Sequence, residues 1–136
     1  TVEDVKAVEK KQGTPVKKGD VVIFHTGWID AKLKSDPVAW ASGEPGQSPE
    51  VAEYLASKQV IAVGADTWGL DVVPPKNINE PFQGHVILLK QNGIYILENM
   101  NTGPLVKDGA LEFLFVLGQA KVKGAVQMII NPIAIN

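Results

Sequence analysis

The sequence predicts an α/β fold, on three observations. Residues 21–24 and 60–63 are short, continuous apolar runs of the kind that form strands covered on both faces. A helix signal lies between them, and strand, helix, strand in that order makes a βαβ unit with parallel pairing. Residues 81–99 then read as a helix, a tight turn and a strand running back beside the helix.

Taken in order, the elements justify themselves locally. Thr1 and Asp4 can close a variant capping box, Val2, Val5 and Val8 make an apolar stripe, and Gly13 ends the helix. A chain that opens on a helix cap, without Met and without a preceding strand, points to a piece of a larger fold. Lys18-Gly19-Asp20 turns into the first strand, which ends at His25, Thr26, Gly27 and Trp28. Strand ends are where α/β sheets present site residues, so His25 is a candidate. The plainer reading has Gly27 turn the chain and Trp28 cap the core.

Residues 29–47 show no periodicity and are interrupted by Pro37, Gly43, Pro45 and Gly46, which suggests a long irregular loop. Trp40 within it either faces a substrate or a neighbouring subunit, or anchors the loop. Ser48-Pro49-Glu50 is a strong helix start, with Val51, Leu55 and Tyr54 as the buried face and an end near Lys58. The segment GADTWGLD carries Asp66 and Asp71 in a Gly-punctuated turn that lacks both common phosphate-loop patterns. Asp66 and Thr67 there are expected to tie the loop through hydrogen bonds to backbone. Residues 112–117 and 125–135 read as two further strands.

The central unit brings two chemical groups together. Phe82, Val86 and Leu89 recur at helical spacing, Leu88 widens the apolar face, and Asn92-Gly93 stops the helix before a strand over 94–97. From His85 to Gln91 a helix climbs about 9 Å at ~1.5 Å per residue. From Tyr95 to Glu98 a strand returns about 10 Å at ~3.3 Å per residue. His85 and Glu98 are thus expected at one level, where they could share a metal ion or form a structural histidine–carboxylate pair.

Composition sets the outer limits. At 136 residues there is room for one domain, and 45% apolar with 21% charged residues is ordinary for a globular protein. Net charge is −2 and every basic residue is lysine, scattered along the chain, which argues against nucleic acid or an anionic membrane as partner. Without arginine the usual bidentate clamp for phosphate or carboxylate is missing. The absence of cysteine removes disulfides, thiolate chemistry and cysteine-bound zinc. No apolar run is long enough to span a membrane and no signal peptide is visible, so the expected compartment is the cytoplasm.

Four segments in collinear order carry a family resemblance: GDVVIFHTGW, VIAVGADTWGLD, HVILLKQNGIYILENM and KGAVQMIINPIAI. Together they resemble the cyclase-family metal-dependent hydrolases, which include bacterial kynurenine formamidase and isatin hydrolase. The resemblance implies a mixed α/β domain of the swivelling β/β/α type, with a partly closed central sheet and flanking helices. It implies that residues 1–136 are the C-terminal part of that domain. It also makes His85 and Glu98 ligands of a divalent metal, zinc or manganese, in a hydrolase of amide, formamide or lactone bonds. Trp28 and Trp40 are the candidates for shaping the substrate pocket.

The departures are as informative. The family's His-x-Gly-Thr-His-x-Asp signature, which supplies most metal ligands and the catalytic histidine, is absent, since the chain has only two histidines. Val126-Gln127-Met128 stands where many members carry Thr-Gly-Ser, and Asn131 where many carry Arg. The implied partner is an N-terminal half of the same enzyme, as a separate chain or a neighbouring copy in an oligomer, acting on a small-molecule substrate. The competing expectation is a non-catalytic α/β binding or assembly module that has lost the metal chemistry.

Overall fold

Helix α1 (Val2–Gln12) forms as its ends dictate. Thr1 accepts the Asp4 N–H, the Asp4 carboxylate answers the Thr1 amino group, and Gly13 closes the helix at φ 72°. Glu9 then pins the helix down: one oxygen accepts the Val16 N–H at 2.7 Å and the other the Tyr54 hydroxyl at 2.9 Å. The computed structural model describes all of residues 1–136.

Three strands, β1 (Val21–Phe24), β2 (Ala62–Ala65) and β3 (Tyr95–Leu97), form a wholly parallel sheet with β2 in the middle. The register pairs Phe24 with Ala65 and Gly64 with Leu97, so His25, Asp66 and Glu98 leave the sheet along one edge. Every residue of β2 is buried. The core gathers around it from helix α4 (Pro49–Ser57), which contributes Val51, Ala52 and Leu55, together with Val60, Leu70, Leu88 and Ile94. Burying such side chains yields roughly 1.5–3 kcal/mol each, which fixes the height of the sheet edge that carries the site.

Several elements differ from the sequence expectation, each for a physical reason. Residues 29–47 are not an irregular loop: they hold helices α2 (Trp28–Lys32) and α3 (Pro37–Ser42). Pro37 is a starter there rather than a breaker, because Asp36 caps the Ala39 N–H at 3.0 Å and proline suits the first helical turn. The second strand begins two residues late, at Ala62, with Val60 buried in the turn before it.

The central helix is a short α5 (Gln83–His85) that continues as π-helix over Val86–Gln91. The wider turn rotates the face that meets the core: Ile87 and Leu88 are buried, whereas Leu89 and Phe82 are exposed. After helix α6 (Gly103–Lys107), only β4 (Leu114–Val116) and β5 (Ile133–Ile135) are strands. They pair antiparallel with each other and not with the parallel sheet, so the central sheet is open at both edges instead of mixed and partly closed. Most of residues 125–135 therefore lie outside any strand, and Val126 and Ile129 are fully exposed.

Candidate metal centre

Local backbone shape aims the site. Phe82 adopts a left-handed conformation, φ 54°, which a bulky residue seldom holds, and starts α5 at once. Gly84 leaves room where any Cβ would collide with the Asp71 carboxylate. Asp71, itself buried, can therefore reach His85: its Oδ2 accepts the His85 backbone N–H at 3.2 Å and meets Nδ1 at 2.9 Å. With Nδ1–H committed to Asp71, the other ring nitrogen faces Glu98, and Nε2 lies 3.2 Å from Oε1.

The pair that the sequence places at one level is thus in contact, with a third residue, Asp71, orienting the imidazole. The hydrogen bond to Asp71, then that to Glu98, raises the His85 pKa from 6.5 to about 9, against the opposing effect of burial. In the metal-free protein the ring is a cation at neutral pH. Glu44, buried nearby, accepts the N–H groups of Trp68 at 2.6 Å and Gly69 at 2.8 Å and so holds the loop after β2. Burial is the main reason its carboxyl rises from 4.5 to about 7; the two N–H bonds pull it back and the charges of Glu98 and Asp71 push it further.

Both raised values give the same sign of pH dependence. A folded state that holds protons more tightly than the unfolded chain loses stability as pH rises. The Glu44 contribution fades from 4.5 through about 7, and that of His85 from 6.5 through about 9. Urea unfolding of the metal-free protein is therefore expected to show a midpoint that falls steadily from pH 5 to about pH 9. NMR titration should place the His85 imidazole near 9 and move it down in Asp71→Asn; a midpoint near the ordinary histidine value in the parent protein would contradict the geometry.

The two side chains fit a shared cation. Ligands on one tetrahedral ion, at bonds of ~2.0–2.2 Å, stand roughly 3.3–3.6 Å apart, close to the 3.2 Å between Nε2 and Oε1. A carboxylate behind the distal histidine nitrogen, as Asp71 is here, is the usual outer support of such a ligand. His85 and Glu98 keep 29% and 17% of their side-chain surface, enough for approach from solvent. No group of three or more His, Cys, Asp or Glu side chains is arranged to hold a metal.

An open pocket of about 470 Å³ lies over this pair. Trp68, Pro81, Phe82 and Val86 form its apolar side, and the exposed Gln127 also lines it. The Phe82 ring stands edge-on to both His85, at 5.4 Å, and Trp68, at 6.4 Å.

Residues 1–72 match the Cyclase family. The chain belongs to that family. The isatin hydrolase of Roseibium aggregatum is 27% identical over 117 residues, covering 82% of this chain and 43% of that protein. A crystal structure described as a novel cyclase superposes with a TM-score of 0.87 at 28% identity, over 100% of this chain and 46% of the other. A structure of an isatin hydrolase bound to the product analogue thioisatinate shares the fold, with a TM-score of 0.78 at 24% identity, over 96% of this chain and 50% of that one. The chain spans about half the length of these relatives.

Within this cyclase chain the remaining candidates occupy other places. Trp28 starts α2 with the Lys32 ammonium 5.9 Å from its ring, and neither Trp28 nor Trp40 lines the pocket over His85. Trp40 stands one layer behind, its carbonyl accepting the Trp68 indole N–H at 2.9 Å. His25 meets Thr102 Oγ1 through Nδ1 at 2.8 Å and also lies away from the pocket. Asp66 ties the loop after β1 to β2 as expected, accepting Thr26 N–H, Thr26 Oγ1–H and Gly27 N–H at 2.7–2.8 Å. The Thr67 side chain takes no part in this tie, and its buried hydroxyl has no partner.

Proposed function

We propose that this chain supplies part of the metal site of a hydrolase that cleaves amide, formamide or lactone bonds with an activated water. The observation that carries the reading is the His85–Glu98 contact at 3.2 Å, backed by Asp71 and opening into an aromatic-walled pocket. Membership of the Cyclase family and the likeness to an isatin hydrolase support the same reaction class.

A zinc or manganese ion held there would contribute Lewis acidity, lowering the pKa of a water and polarising a carbonyl. The chain's own residues have distinct roles. His85 offers Nε2 once its proton leaves, Asp71 fixes the tautomer through Nδ1–H, and Glu98 offers Oε1. Trp68 and Phe82 give an apolar or aromatic substrate a dry surface, and the Trp40 carbonyl keeps the Trp68 indole in place. Trp40 acts on the substrate side only through that hydrogen bond, and Trp28 has no contact with the pocket over His85.

A catalytic zinc site normally takes three protein ligands and an open position. The missing ligand and the proton-shuttling base are assigned to an N-terminal half, present as a separate chain or a neighbouring copy. Relatives about twice as long support this, as does the exposed apolar surface of Leu114, Val126, Ile129, Ile133 and Ile135. A second reading, a non-catalytic module, is favoured by a set of only two proposed ligands. Metal analysis of the protein purified with any companion polypeptide separates them. A stoichiometric transition metal supports the hydrolase, and none after zinc and manganese supplementation would leave the module.

A further inference from the structure

Residues 44–47 lie against residues 69–73, and what they hold there is a wall of the pocket. Glu44 N–H and C=O are both taken by Val73, at 2.9 and 3.1 Å, which fixes the backbone at Glu44. Gln47 N–H meets the Leu70 carbonyl at 2.9 Å, and at Gly46 between them any Cβ would collide with the backbone of residues 70–72. From this brace the Glu44 carboxylate reaches two successive donors, Trp68 N–H at 2.6 Å and Gly69 N–H at 2.8 Å. Gly69 leaves it room, since a Cβ there would stand 2.9 Å from Oε1 and 3.2 Å from the Phe82 ring. Trp68 and Phe82 both line the pocket over His85 and Glu98.

A carboxylate only 4% exposed is a costly way to hold two N–H groups. No lysine or histidine forms an ion pair with it. The charges that act on it, Asp71 from the loop after β2 and Glu98 from β3, are carboxylates too, and α3 carries no charged side chain. The cation that α5 offers, His85, is taken by Asp71 and Glu98. Asp66, the other buried tie, is better served: it accepts three hydrogen bonds and has His25 3.8 Å away. We infer that Glu44 is a positioning residue for the pocket: its ionised carboxylate holds Trp68 as the wall beside His85 and Glu98. Protonation relieves the buried charge but puts an O–H where an acceptor was, so the hold on the Trp68–Gly69 backbone slackens. With the carboxyl raised to about 7, chiefly by burial, this exchange falls near neutral pH, and the wall is set on the alkaline side. This rests on the reading of the pocket as the substrate side of a metal site, and adds to it control by pH.

Fluorine NMR of this chain labelled with 5-fluorotryptophan, purified with any companion polypeptide, reads the wall directly. The chain's three tryptophans give three resonances, and Trp68→Phe identifies that of Trp68. From about pH 6 to about pH 8 the Trp68 resonance is expected to move with a midpoint near 7. In Glu44→Gln the movement should be lost and the resonance stay near its low-pH position, because the amide keeps one acceptor and sets an N–H₂ against the second donor. Glu53→Gln, at an exposed carboxylate, should keep the parent profile. A Trp68 resonance that stays still in the parent would overturn the inference, as would movement that persists in Glu44→Gln. If Glu44→Gln fails to fold, the parent midpoint decides: near 7 it supports Glu44, and near the His85 value of about 9 it overturns the inference. The measurement needs no metal, so its failure leaves the metal-site reading standing, which metal analysis tests separately.

Discussion

Asp66→Ala is expected to destabilise the protein by roughly 3–5 kcal/mol, a large part of what holds a domain of this size together. The carboxylate is completely buried and accepts three hydrogen bonds, from Thr26 N–H, Thr26 Oγ1–H and Gly27 N–H. Removing it takes the acceptor from three donors at the point where the end of β1 is tied to β2. Asp66→Asn keeps one acceptor but sets an amide N–H₂ against donors, so an intermediate loss is expected. Urea unfolding at pH 7 measures both. A loss below about 1 kcal/mol for the alanine variant would mean that the turn is held by something other than Asp66.

His85→Ala and Glu98→Ala should each lower metal affinity by at least about a hundredfold, because each removes one of the two proposed ligands. Asp71→Asn acts through His85 and should cost about 10–100-fold. His25→Asn should leave metal binding unchanged, since His25 is committed to Thr102. All four variants are expected to fold: both proposed ligands are partly exposed, and neither carries the buried core. Equilibrium dialysis against zinc and manganese reads the affinities, and circular dichroism checks the fold. Unaltered affinity in His85→Ala and Glu98→Ala would reassign the site, and a loss in His25→Asn would make that histidine a ligand.

How much of this was legible in the sequence depends on the range of the forces involved. The N-terminal capping box, the Ser48-Pro49 helix start and the parallel β1–β2 pairing follow from local chemistry and strand spacing, and the structure contains all three. The meeting of His85 and Glu98 follows from the rises of a helix and a strand, and survives the change from α- to π-helix because both residues sit at the element ends. The π-turn itself was not legible, since Phe82, Val86 and Leu89 keep a perfect α-helical spacing. Asp36-Pro37 was legible as a helix start but was outweighed by the glycines and prolines around it. Asp71, Trp68 and Phe82 were hidden for another reason. Nothing in GADTWGLD says that its side chains fold back onto α5, and that contact depends on the missing Cβ of Gly84. The apolar segment 125–135 forms a strand only at Ile133–Ile135, and before it Val126 and Ile129 lie fully exposed, because an apolar run can also sit on the surface.

The most direct test of the metal-site reading couples metal binding to proton release. In the metal-free protein the His85 pKa is about 9, so the imidazole is protonated at pH 7 and must lose a proton before Nε2 can bind a metal. Calorimetric titration of the native protein with Zn²⁺ or Mn²⁺, repeated at pH 7 in buffers of different ionisation enthalpy, counts the protons released. About one proton per metal is expected to come from His85, and this component should disappear in His85→Ala. Metal binding that releases no proton at pH 7, or proton release that persists unchanged in His85→Ala, would contradict the assignment of His85 as a ligand.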